Sequence, residues 1–256
     1  DNPALQQAVA LAEERQTWLL PVYVNDTDLQ LITAWGFVRT SEHRLAWTAM
    51  AVQDVAEQIS KLGSQLLQLT GNPGNVLVEL MSRLGTSTLV CEEIAAPYEQ
   101  ADIHVLQEHE MDVHTIWQST LMAPSQLPFE PKAVPDTFSS FRRLVERQTF
   151  APTQPVATVT RLPAAPDLSS FNFDLDLKRA TNHTAILNDP RSAFPWFHPD
   201  FHGGERAALA HLAQYCRRFL PHSYKATRNG LYGAEYSTKW SPWLATGALS
   251  ARQAWE

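Results

Sequence analysis

Apolar positions in the first half of the chain follow two alternating patterns. Short apolar runs at Trp18–Val24, Gln65–Leu69, Thr86–Cys91 and Val113–Ser119 have strand length, and the first is closed by the turn-forming pair Asn25-Asp26. Stretches of helical period lie around them. Asn2 can cap and Pro3 can start a helix over Ala4–Gln16, because the N–H that proline lacks has no partner in a first turn anyway. After Ser41, the residues Leu45, Val52, Val55, Ile59 and Leu62 recur at steps of seven, three and four, and Gly63 supplies a stop. Asn75–Leu84 and Tyr98–Met111 complete the helical set. Strands separated by helices of this length predict an α/β unit with a parallel sheet and right-handed crossovers. A helix at the very start predicts that the first, central strand of such a sheet is missing before Asp1. No GxGxxG follows any strand, which disfavours ordinary dinucleotide binding.

Residues 123–202 have a different character. Prolines recur from Pro124 to Pro199, too often for long helices, and one short helix is expected near Thr137–Gln148. From Gly203 the pattern turns helical again, with a stripe of Leu209, Leu212, Ala213, Cys216 and Leu220 ending at Pro221. The expected organisation is therefore an α/β domain over 1–122, a partly packed connector over 123–202 and a helical unit over 203–256.

Composition narrows the classes. Hydrophobic residues make up 44% of the chain and there are eight Trp, so a packed globular protein is expected. No run approaches the roughly 18 apolar residues of a membrane-spanning helix. Asp1-Asn2-Pro3 does not read as a secretory leader, and without an initiator Met a segment is expected ahead of it. Cys91 and Cys216 have no CxxC partner and read as reduced, buried thiols in a cytoplasmic, intracellular protein. The nine His show no metal-ligand spacing and no GxSxG elbow exists, so neither a metal site nor a Ser-His-Asp hydrolase is expected. Residues 1–200 hold 13 basic and 24 acidic side chains, whereas residues 201–256 hold 7 and 3. The net charge of −7 thus hides a basic C-terminal part that suits a phosphate-bearing partner.

The chemistry concentrates between Ser223 and Arg252. Ser237, Thr238 and Ser241 cluster before an apolar segment, with Lys239 among them. Hydroxyls in that position serve either as a helix cap or as a cradle for an anion such as phosphate. The stretch Gly203-Gly-Glu, then Tyr224-Lys-x-x-Arg-Asn, then Tyr236-Ser-Thr-Lys-x-Ser-Pro-Trp-Leu-Ala and Gly247-x-Leu-Ser-x-Arg252 resembles the flavin-domain signature of DASH-type cryptochromes and DNA photolyases. Upstream, Asp1-Asn-Pro-Ala-Leu5, Leu127-Pro-Phe129, Pro135-Asp-x-Phe138 and Phe141-Arg-x-x-Val-Glu146 resemble the same family in the same order.

The resemblance implies a parallel, flavodoxin/Rossmann-like photolyase domain, a long connector and the beginning of an all-α FAD-binding domain. It implies FAD held by Tyr224, Ser237, Thr238, Lys239, Trp240 and Ser241, with the ring of Trp240 serving the core. Arg228 matches a position that touches DNA phosphate; Lys225 and Arg252 read better as solvated charge. Glu99 lies where the family has an acidic residue for a folate antenna (5,10-methenyltetrahydrofolate), although Glu92-Glu93 and Ala95-Ala96 depart from the usual spelling. The implied function is light-driven repair of cyclobutane pyrimidine dimers in DNA, single-stranded above all, by a monomer. The alternative is a non-enzymatic photoreceptor using the same flavin. The residues of photochemistry and lesion binding are expected beyond Glu256, so this chain alone is expected to be inactive.

Overall fold

The computed structural model describes residues 1–148, 151–170, 194, 195, 198, 200–230 and 233–256. Helix α1 (Pro3–Glu14) starts as its sequence requires: the Asn2 side chain accepts the Leu5 N–H at 2.9 Å, and Pro3 fills the first position. Strand β1 (Val22–Asp26), helix α2 (Glu42–Lys61), strand β2 (Leu67–Gly71), helix α3 (Pro73–Leu84), strand β3 (Thr88–Glu92), helix α4 (Pro97–Glu108) and strand β4 (Asp112–Ile116) follow in strict alternation. The same capping chemistry recurs at α2 through Ser41 and at α3 through Asn72, each accepting a main-chain N–H three residues on.

The strands do not form one continuous sheet. Strands β1 and β2 pair in parallel with Val22 opposite Leu67 and Asp26 opposite Gly71, while β3 and β4 pair in parallel with Thr88 opposite Asp112 and Glu92 opposite Ile116. A doubly wound sheet of order 3-2-1-4-5 consists of two such parallel pairs on either side of its first strand. Among the described residues no strand occupies that central place. The first strand also starts later than its apolar run: Trp18, Leu19 and Leu20 precede it, and Leu19 donates its N–H to the Ala164 carbonyl at 3.1 Å. The proline-rich stretch thus supplies a partner where the sheet does not. It does so again where Leu162, itself buried, donates to the Leu62 carbonyl at 3.2 Å. One short helix, α5 (Phe138–Glu146), interrupts it as expected; most of 171–199 lies outside the described residues.

Helix α2 departs from its single expected stripe. Val55 is exposed, and the buried positions are Ala46, Trp47, Ala51, Asp54 and Ile59, which spread over more than one face. The reason is that α2 also meets the C-terminal helical part, which consists of α6 (Glu205–Arg217), α7 (Leu220–Thr227), α8 (Ser241–Ala245) and α9 (Ala251–Trp255): α6 packs against α2, and α8 reaches Trp47. A buried apolar cluster forms at that seam from Trp47, Phe201, Ala208, Trp243 and Leu249. The Trp47 and Trp243 rings lie 5.5 Å apart, Phe201 stacks on Trp243 at 5.7 Å, and Phe194 meets Trp47 edge-on at 5.4 Å. Both indoles are satisfied as buried indoles require: Trp47 Nε1–H donates to the Pro242 carbonyl at 3.2 Å and Trp243 Nε1–H to the His202 carbonyl at 2.7 Å.

Two glycines allow this approach. A Cβ on Gly203 would collide with the Trp47 carbonyl oxygen, and one on Gly204 would collide with Asp54. Gly204 also has φ of 106°, a backbone state open to glycine and costly for other residues. An ion-paired rim closes the contact. Arg206 bridges the buried Asp54 and Glu57, while Gln58 Nε2 donates to Glu205 at 3.1 Å.

Candidate cofactor site

Helix α6 presents Ala208, His211 and Tyr215 to the molecule, at steps of three and four. The apolar stripe read from the sequence holds only in part: Leu212 packs against the buried cluster and Leu220 is half-buried, whereas Leu209, Ala213 and Cys216 lie on the exposed side. The Cys216 thiol is therefore exposed rather than buried, while Cys91 is half-buried in β3, where burial pushes its thiol pKa up. Pro221 does not end the helical region either. Phe219 turns the chain through a left-handed φ of 54°, and Pro221 then sits in the first turn of α7. No residue of α7 is buried.

Of the expected flavin-contacting residues, Thr238 and Trp240 meet α6, through His211 and Tyr215. Tyr224 is exposed on α7. The Trp240 ring meets the Tyr215 ring edge-on at 5.3 Å, so it packs inward as expected; its Nε1–H is buried without a hydrogen-bond partner among the described residues. Ser237, Thr238, Lys239 and Trp240 are half-buried, and Ser241, which opens α8, is exposed. Lys239 has φ of 58°, a left-handed backbone at a non-glycine residue, and its ammonium lies 3.5 Å from the centre of the Tyr236 ring. The Thr238 carbonyl is held by His211 Nε2 at 2.9 Å. The run is thus neither sealed in a dry core nor splayed into solvent. Three hydroxyls and an ammonium gather within five residues, and this donor set fits an anionic, hydrogen-bond-accepting group such as the diphosphate of FAD.

The expected phosphate contacts lie on α7 and at its end. Arg228 is exposed at the end of α7, its main-chain N–H donating to the Tyr224 carbonyl at 2.9 Å, and Lys225 is exposed one turn earlier. Arg218, also exposed, is engaged by Glu235.

Arg252 corrects the sequence reading. It is buried rather than solvated, with Nε 2.9 Å from Asp1 Oδ2, so an ion pair joins the first residue to the last helix. Its Nη2 and Glu92 Oε1 are both buried without a hydrogen-bond partner among the described residues. Burial pushes the Glu92 carboxyl pKa up, while Gln118 and Arg252 draw it back down. The same Gln118 accepts the Ala4 N–H at 2.9 Å, so β3, the end of β4, α1 and α9 meet in one buried polar knot. Sequence reasoning missed this knot. The signal available was Arg252 closing the Gly247-x-Leu-Ser-x-Arg motif.

Glu99 is exposed in the first turn of α4, beside Tyr98, over whose ring Arg39 sits at 3.5 Å. Burial raises the pKa of nearby Asp102, the Gly74 N–H works against that rise, and Asp26, Glu99 and Asp28 add to it. Among the described residues no cluster of His, Cys, Asp or Glu could hold a metal ion, and no helix is long and apolar enough to cross a membrane.

Comparison with known proteins gives this geometry a context. Residues 1–161 match the family model of DNA photolyase. The chain is similar to the cryptochrome DASH of Danio rerio (33% identity over all of this chain and 49% of the relative), to that of Xenopus laevis (34%, over all of this chain and 48%) and to that of Gloeobacter violaceus (34%, over 85% and 43%). It spans about half the length of the curated relatives it matches. Among solved structures it is similar to a Synechocystis cryptochrome, with a TM-score of 0.86 and 29% identity over 99% of this chain and 51% of that one. It shares its fold with a class III photolyase of Agrobacterium tumefaciens, at a TM-score of 0.72 and 21% identity over 97% and 49%. With its paired parallel strands, its glycine-bedded seam and its hydroxyl run entering α8, the chain belongs to the DNA photolyase family, on its DASH-type cryptochrome branch.

Proposed function

We propose that the full-length parent of this chain binds FAD through Tyr224 and the run Ser237–Ser241 and serves light-driven repair of cyclobutane pyrimidine dimers in DNA, single strands above all. In this reading residues 1–122 form the photolyase-type α/β domain, 123–202 the connector and 203–256 the start of the flavin domain. The observation that carries it is the half-buried run of donors held on α6, with Trp240 against Tyr215 and the Thr238 carbonyl on His211. Ser237, Thr238 and Ser241 donate their hydroxyl protons to the diphosphate, main-chain amides entering α8 add to them, and Lys239 offsets charge. Arg228, with Lys225 beside it, offers charge to DNA phosphate. When bound, FAD supplies blue-light absorption and one-electron transfer; the protein supplies burial and orientation. A base drawn out of a stack costs a few kcal/mol, less in a single strand, which favours that substrate. A folate antenna at the exposed Glu99 carboxylate belongs to the same proposal.

The test is irradiation of the purified full-length parent protein with blue light in the presence of dimer-containing single-stranded DNA. Dimer splitting that depends on light and on bound flavin supports the reading. Flavin that is photoreduced without any splitting refutes repair and favours a photoreceptor. No flavin absorption refutes both.

A further inference from the structure

Helix α6 holds the run 237–241 at two points, one on each side of its strained residue. His211 Nε2 lies 2.9 Å from the Thr238 carbonyl oxygen, immediately before Lys239. One helical turn on, the Tyr215 ring carries the ring of Trp240 at 5.3 Å, immediately after Lys239. Lys239 itself sits at φ of 58°, a state that non-glycine residues enter rarely and keep only when their surroundings hold them.

The His211 ring is in turn fixed. Phe201 lies 4.9 Å and Trp243 5.0 Å from it, centre to centre, within the buried cluster of the seam. A carbonyl oxygen can only accept, so the proton of the neutral imidazole must reside on Nε2. Burial lowers the His211 pKa, with the Thr238 carbonyl and Asp200 opposing, so the neutral ring is the favoured form. A rigid aromatic core thus ends in one oriented N–H, aimed at the peptide that precedes the left-handed residue.

We infer that His211 is the positioning residue of the candidate diphosphate site: its Nε2–H grips the Thr238 carbonyl and, together with Tyr215 against Trp240, keeps Lys239 left-handed and the run 237–241 in its binding shape. This rests on the flavin reading for its purpose, though not for its geometry. His211 touches the backbone of the run and acts through it.

The experiment compares H211F, which keeps a ring for Phe201 and Trp243 to pack on but removes the donor, with H211Q, whose amide N–H can replace Nε2–H. Two quantities are read on the whole protein: the rate of tryptic cleavage at the Lys239–Trp240 bond, and the Kd for FAD. Loss of one such hydrogen bond is expected to raise cleavage and weaken FAD binding in H211F by about three- to tenfold, with H211Q within about twofold of the parent. Cleavage of H211F at the parent's rate, or H211Q behaving like H211F, overturns the inference. If the parent takes up no FAD while cleavage still follows the donor, the flavin reading fails and the positioning role stands. If FAD binds parent and H211F alike with cleavage unchanged, the positioning role fails and the flavin reading stands.

Discussion

The seam between α2 and the C-terminal helices and the outward-facing parts of those helices, α7 and residues 236–241, are built in opposite ways. At the seam, Trp243 and Ala208 are fully buried, glycines let backbones touch, and the buried Asp54 is ion-paired with Arg206. On the outer face α7 buries nothing, Tyr224 and Phe219 are exposed, and the hydroxyl run is half-covered. Packing free energy is therefore concentrated behind the site, and polar donors are left accessible in front of it. His211 belongs to both regions, with its ring in the core and its N–H on the run. The lesson is that the chemistry of the run depends on a core to which it contributes one packed ring, Trp240.

Substitutions should separate the two regions. The largest effect is expected from R252A, which strands the buried Asp1 carboxylate and should cost about 3–5 kcal/mol in denaturant unfolding. R252M combined with D1L should recover most of that, since an apolar pair of similar volume needs no counter-charge. Next, G203A should cost about 1–3 kcal/mol, because the new methyl meets the Trp47 backbone rather than a side chain able to move aside. Third comes pH. Burial lowers the folded-state pKa of His211 below its ordinary 6.5, so its contribution to stability is whole above that value and is lost as pH falls below it. H211Q should flatten that part of a stability–pH curve measured by thermal unfolding. The smallest effect on stability belongs to the outer face: R228A should leave unfolding within about 0.5 kcal/mol of the parent. It should instead weaken DNA binding evenly across sequences and reduce the slope of log K against log salt by about one.

The alternation of strands and helices was legible because apolar period and caps act locally: Asn2, Ser41 and Gly63 all mark ends close to where the helices begin and stop. The hydroxyl run was legible because its members adjoin in sequence. The seam was not. A single apolar stripe was sought on α2, whereas Trp47 and Asp54 serve a second covering layer that no period announces. On α6 the stripe through Leu209, Ala213 and Cys216 was as apolar as the true face through Ala208, His211 and Tyr215, and only the position of Trp243 decides between them. Arg252 was read as solvated because an isolated arginine ordinarily is, and its partner lies at the opposite end of the chain.

The central claim is that the run from Ser237 to Ser241 grips the diphosphate of FAD. Its most direct test is a fluorescence titration of FAD into the protein and into a triple variant, S237A, T238A and S241A, with unfolding measured on both. The account predicts that the parent binds, that the triple variant binds at least about tenfold more weakly, and that the two unfold alike to within about 0.5 kcal/mol per exposed site. Equal affinity of parent and triple variant for FAD, at equal stability, would contradict it.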